Sequence, residues 1–203
     1  MKKILVVFLI LALVPCTLFA AGQQDAAAAP AAVETVNPVA AAAEAYFADY
    51  PGSRIIPADK VFEAMDADED FLILDIRKAD DYAKGHLKGA VNAAWGSPAL
   101  AEALDWLPDD KPVYVNCYSG QTAGQTVAVL NVAGFQASSI KYGWNLGIAK
   151  TEGFESYVDT AAVMSPDASG VKIDAAVKAA AADYFNNLKA DPETPSNIIA
   201  AAK

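Results

Sequence analysis

The sequence predicts an α/β fold: an open parallel sheet covered by helices on both faces, with extra flanking helices at both ends. Three observations carry this. Short apolar runs, "FLILD" (71 to 75), "AVNAA" (90 to 94), "PVYVN" (112 to 116) and "SIKY" (139 to 142), have the length of strands. Helical patterns separate them, in "KADDYAKG", "SPALAEALDWL" and "TAGQTVAVLNVAG". The runs are continuously apolar rather than alternating, which is the mark of strands buried on both faces.

The elements follow in chain order. Met1, Lys2 and Lys3 give a positive start, the eleven residues "ILVVFLILALV" an apolar run, and Pro15 leads into a small-residue region. These are the three parts of an export signal, and the run is too short for a membrane span, which needs about 20 apolar residues. Two end-points are open: cleavage near Ala20 to Gly22, or lipidation of Cys16, with Pro15 departing from the small residue that lipoprotein signals carry there. The chain thus divides into a signal (1 to 22, or ending before Cys16), an Ala/Pro-rich linker (23 to 38), a domain with an N-terminal helix (39 to 160) and a helical extension (161 to 203). The expected location is the periplasm or cell envelope.

The Ala-rich spacer becomes helical towards "AAEAYFADYPG", where Pro51 and Gly52 stop it. "ADKVFEAM" is a short helix, and "DADED" a solvated acidic turn, since it lacks the glycine and terminal glutamate of a calcium loop. After residue 117, Ala123, Val127, Leu130 and Gly134 form one buried helical face closing on a glycine. In the tail, Ile173, Val177, Ala181, Tyr184 and Leu188 form a second stripe. Its "AAADYF" echoes "AAEAYF" near residue 45, which reads as two similar helices packing on the domain rather than a duplicated unit.

Charge and cysteine usage narrow the function. The formal net charge is −10, and loss of residues 1 to 22 would remove Lys2 and Lys3 but no acid, giving about −12. Such a surface repels phosphate backbones, so nucleic acid is not an expected partner, and an anionic substrate needs a local positive site. Cys16 and Cys117 are the two cysteines, so the domain holds no disulfide and no resolving thiol. One histidine and one domain cysteine build no metal site, and no Gly-x-Gly-x-x-Gly is present. No cofactor is expected.

Cys117 lies at the carboxyl end of a strand and just before a helix, the edge at which open α/β sheets bind ligands. The loop "CYSGQTAG" contains two glycines, so the chain can curl around the sulfur with backbone N–H groups inward. A helix start favours negative charge there. Cys117 is therefore placed as a nucleophile.

Over roughly residues 53 to 150 these features resemble the rhodanese domain. "LILDIRKADDYAKGHLKGAVNAAW" is similar to that family's strand, Asp-x-Arg and Gly-His-x-x-Gly-Ala-x-Asn, and "CYSGQTA" resembles its active loop in the Cys-x-x-Gly-x-Thr-Ala form of thiosulfate and mercaptopyruvate sulfurtransferases. The resemblance implies a persulfide relay. Cys117 takes a sulfane sulfur from a small anion, of the thiosulfate or 3-mercaptopyruvate type, and passes it to a thiol or cyanide. Tyr118, Ser119, Gly120, Gln121, Thr122 and Ala123 would form the anion-binding loop, with N–H groups around Ser119 to Thr122 on the sulfur and the Thr122 hydroxyl capping the helix.

The loop departs from many rhodaneses in having no basic residue, so a cation must come from elsewhere; Arg77, Lys78 and Lys141 are candidates. A phosphatase would need an arginine five or six positions beyond Cys117, where Thr122 and Ala123 stand. Asp75 and Arg77 read as an ion pair fixing the neighbouring loop. In this family the histidine at His86 belongs to a turn, a structural role. Trp95, Trp106 and Trp144 read as packing residues, and Tyr118, Tyr142 and Trp144 as candidates for the cleft wall. The alternative to an enzyme is a binding or persulfide-carrier module using the same cleft.

Overall fold

The computed structural model describes residues 37–50 and 52–188. The expected signal, most of the linker and the end of the tail lie outside the described residues.

Five strands form one parallel sheet: β1 (Ile55–Ile56), β2 (Leu72–Asp75), β4 (Val91–Asn92), β5 (Val113–Asn116) and β6 (Ala137–Ile140), in the order β1-β6-β5-β2-β4. Leu74 pairs with Val115 and Asp75 with Asn116, which sets the carboxyl ends of β2 and β5 side by side. A separate antiparallel pair joins β3 (His86–Leu87) to β7 (Val158–Asp159). The helices are α1 (Pro38–Ala48), α2 (Ala58–Asp66), α3 (Ala79–Lys84), α4 (Pro98–Glu102), α5 (Gln121–Val132) and α6 (Ala175–Asn186).

The continuous apolar runs are explained by two cores, one on each face of the sheet. Leu72, Leu74, Val113 and Val115 face one core with Leu100, Leu104, Leu107, Val127 and Leu130. Ile73 and Tyr114, one residue out of phase, face the other with Val61, Phe62, Tyr82, Ile140 and Ile148. Alternate residues of each strand thus meet opposite helix layers.

The open α/β sheet is as the sequence predicts; the differences are local. β1 is absent from the sequence reading, because two isoleucines between Arg54 and Pro57 carry no periodicity. The expected strand over 90 to 94 pairs only at Val91–Asn92, and the strand expected at 139 to 142 ends at Ile140, because Tyr142 is left-handed at φ 61°. α1 starts earlier than expected: Pro38 takes the first turn and the Asn37 side chain accepts hydrogen bonds from the N–H groups of Val39 and Ala40. The tail stripe runs through Val177, Ala181 and Phe185, while Tyr184 is partly exposed, since a spacing of four holds one face over these two turns. Those three residues belong to the same core as Leu100 and Leu130, and α6 touches both α4 and α1.

Phe185 is fully buried, so Phe185→Ala is expected to cost about 3–5 kcal/mol in urea unfolding. A loss under about 1 kcal/mol would show that α6 does not belong to the cooperative core.

Candidate active site at Cys117

β5 delivers Cys117 to the carboxyl edge of the sheet, and the chain turns at once. Gly120 has φ 87° and occupies the N-cap position of α5. In that conformation its N–H points back and donates to Cys117 Sγ at 3.0 Å. A side chain is disfavoured at such a φ, which accounts for glycine here. The sulfur is a buried acceptor, with Cys117 2% exposed.

Several expectations find their place around this turn. Ser119 and Gln121 are exposed, Tyr118 and Thr122 half-buried, and Ala123 is packed in the core. The Thr122 hydroxyl does not cap the helix, which is a correction: Thr122 lies inside α5, its carbonyl accepting from Thr126 Oγ1 at 3.0 Å, and the cap position belongs to Gly120. The Tyr118 hydroxyl donates to Asp81 Oδ2 at 2.6 Å and accepts from the Lys78 N–H at 3.1 Å. Burial, then the Asp81 bond, raises the Tyr118 phenol above its ordinary pKa. The Lys84 ammonium, then Tyr118, holds the Asp81 carboxyl below its own. Tyr118 therefore donates and Asp81 accepts across the neutral range.

The loop is braced from behind by a π-helical turn, Gly143–Gly147. Trp144 N donates to Cys117 O at 2.7 Å and Asn145 N to Tyr118 O at 3.0 Å. Gly143 (φ 57°) lies so close that a Cβ there would overlap the Cys117 carbonyl and stand 2.8 Å from the nitrogens of Ser119 and Gly120. This brace is missing from the sequence reading. Its only trace is the pair of glycines in "GWNLG", which a fold-blind reading cannot connect to Cys117.

Asp75 and Arg77 form the expected ion pair, and more. Arg77 donates through its N–H, Nε and Nη2 to Asp75 at 2.6–3.0 Å, and through Nη2 to Gly85 O at 2.7 Å. Trp144 covers the guanidinium, with the ring centroid 3.9 Å from Cζ. Asn116, which the sequence reading left as a strand end, donates to Asp75 Oδ2 at 3.1 Å. Arg77 is thus committed to structure, which withdraws it as the cation for a substrate. Lys78 and Lys141 are exposed, Lys141 lying 5.2 Å from the Tyr142 ring.

His86 is fully buried, stacked on Tyr82 at 3.7 Å, with Nδ1 2.9 Å from Tyr82 O and Nε2 3.0 Å from Ala161 O. Both ring nitrogens are engaged, in keeping with a structural part. Trp144 and Tyr118 wall a cleft with Arg77, Asp81 and Lys84, whereas Tyr142 lines a different hollow with Lys141 and Leu146. Trp95 and Trp106 pack against the core. Among the described residues no cluster could hold a metal ion.

A parallel α/β sheet whose central strand ends in a cysteine loop defines the class of fold. Residues 58–150 match the family model of the rhodanese-like domain. A Bacillus subtilis (strain 168) protein named "Putative sulfur carrier protein YrkF" is 27% identical over 74 residues, 36% of this chain; the chain spans 39% of that relative's length. Among solved structures, a rhodanese-related protein from Thermoplasma volcanium is 24% identical with a TM-score of 0.45, covering 53% of this chain and 99% of its own. Thiosulfate sulfurtransferase from Pseudomonas aeruginosa is 21% identical with a TM-score of 0.42, covering 73% and 27%.

Asp75→Asn should leave the Arg77 charge buried without its partner and cost about 3–5 kcal/mol in chemical denaturation. Gly143→Ala should cost about 1–3 kcal/mol through backbone strain and shift the amide resonances of Ser119 and Gly120. Unmoved resonances would mean that the π turn does not brace the loop.

Proposed function

We propose that the protein transfers sulfane sulfur through a persulfide on Cys117. The observation that carries this reading is the Gly120 N–H donating to Sγ at 3.0 Å, in a turn between a strand end and a helix start. A sulfur held this way sits where negative charge is favoured. The rhodanese-like domain match and the sulfur-carrier name of the relative from Bacillus subtilis support it.

In the loading step the Cys117 thiolate attacks the outer sulfur of a donor such as thiosulfate. One S–S bond forms, the donor S–S bond breaks with its electron pair on sulfite, and Cys117 keeps a persulfide anion. Cyanide or a thiolate then takes the outer sulfur and returns Cys117 to the thiolate, a double displacement without a change in cofactor. The donor is of the thiosulfate or 3-mercaptopyruvate type. The reading includes export, with residues 1 to 22 directing the protein to the periplasm or cell envelope, in soluble form or lipidated on Cys16.

Incubation with thiosulfate and, separately, 3-mercaptopyruvate should add one sulfur atom to the intact mass, lost on addition of cyanide with formation of thiocyanate. Cys117→Ser should gain none. No gain from either donor on a thiol shown to be accessible would overturn sulfur transfer in favour of a binding module.

A further inference from the structure

Arg54 stands immediately before β1 and carries the guanidinium that the loop itself lacks. Its Nε is buried with no hydrogen-bond partner among the described residues. A buried N–H left without an acceptor is costly, and in native proteins such a group usually has a purpose. Arg54 lines a cavity of about 320 Å³ between α1, β1 and α5, together with Tyr46, Phe47, Tyr50, Val127 and Gly120. Gly120 is the residue whose N–H holds Cys117 Sγ.

The chemistry of this cavity is one-sided. Among the described residues Arg54 is its sole charged lining residue, with no carboxylate paired to it, in a chain of formal net charge −10. The rest is mostly apolar: Tyr46 and Phe47 on α1 and Tyr50 just beyond its end form an aromatic cluster with ring centroids 5.1–6.0 Å apart. Phe47, Tyr50 and Ile55 are 63%, 50% and 56% exposed, so the core does not account for them. An apolar cavity with one convergent polar group is the usual form of a small-molecule site, and exposed apolar side chains grouped at a rim call for an occupant. Residues 46 to 55 lie before the family-matched segment 58–150, so this wall is supplied by the chain's own N-terminal flank.

We propose that this cavity binds a small organic anion with an apolar body, its acid group on Arg54 and its body against Tyr46, Phe47 and Tyr50.

The test is calorimetric titration of the full chain with benzenesulfinate. One saturable site is expected, weakened at least ~10-fold in Arg54→Gln by loss of a charge-assisted hydrogen bond. Ala128→Phe, on the exposed cavity side of α5, should abolish binding by filling the space without touching the core. Benzyl alcohol and inorganic sulfate should each bind more weakly, as each lacks one half of the recognition. Absence of saturable binding, unchanged affinity in Arg54→Gln, or sulfate binding as tightly as benzenesulfinate would overturn the proposal. Sulfur loading from thiosulfate is measured on the same samples. Benzenesulfinate binding that survives where loading fails would uphold the site while removing the sulfur-transfer reading.

Discussion

Four N–H donor groups converge on the carboxylate of Asp75, three from Arg77 and one from Asn116, and the edge of the sheet that carries Cys117 is organised around them. The pair is almost wholly buried. Arg77 carries the tie onward to Gly85 O and lies under Trp144, whose N–H holds the Cys117 carbonyl. From the other side Asn92 Nδ2 donates to the carbonyls of Asp75 and Arg77, adding the end of β4. A buried ion pair is a weak source of net stability, because desolvation offsets most of the Coulomb gain. What it supplies here is position. The ends of β2, β4 and β5, the turn at Gly85 and the π turn at Gly143 are joined through one pair of side chains.

The loop built on this base relies on backbone rather than charged side chains for its polarity. Gly120 turns its N–H on the sulfur, and Gly143 lets a second backbone segment press against the same loop. Each glycine is required for a different reason. Gly120 must reach a left-handed φ at a helix start, whereas Gly143 combines positive φ with a contact that leaves no room for a side chain. A fixed amide keeps its orientation whatever the charge on the sulfur, so negative charge there would require no side chain to reorganise.

Much of this was legible in the sequence, and the reasons for the rest are physical. The apolar runs and the Ala123, Val127, Leu130 stripe carry the parallel sheet and α5, because burial on both faces leaves a periodic trace. The Asp-x-Arg pair and the Cys-x-x-Gly-x-Thr-Ala loop were equally visible, as both are local in the chain. Gly143 and Arg54 were not. Gly143 meets Cys117 across 26 residues, and Arg54 lines one cavity with Gly120 across 66, juxtapositions that only the order of the strands creates. The role assigned to the Thr122 hydroxyl failed for a local reason: the chain enters α5 two residues earlier than the capping pattern supposes, so a glycine takes the position a threonine would otherwise fill. Arg77 failed as a free cation because a buried guanidinium must be paired, and its carboxylate stands only two residues away.

The flanks change what the central domain can present. α6 contributes Val177, Ala181 and Phe185 to the core and touches α1, and α1 in turn touches α5. The first helix is therefore held against the helix that begins at the cysteine loop, and its Tyr46 and Phe47, with Tyr50 just beyond it, line one cavity with Gly124, Val127 and Ala128 of α5. With the backbone of the loop given over to the sulfur, selectivity has to be built beside it. A chain with an excess of acids repels a diffusing anion at long range. In the proposed cavity the discriminating terms would be short-range, a guanidinium whose Nε has no partner among the described residues and apolar contact, and these favour an anion with an apolar body over a small hydrated one.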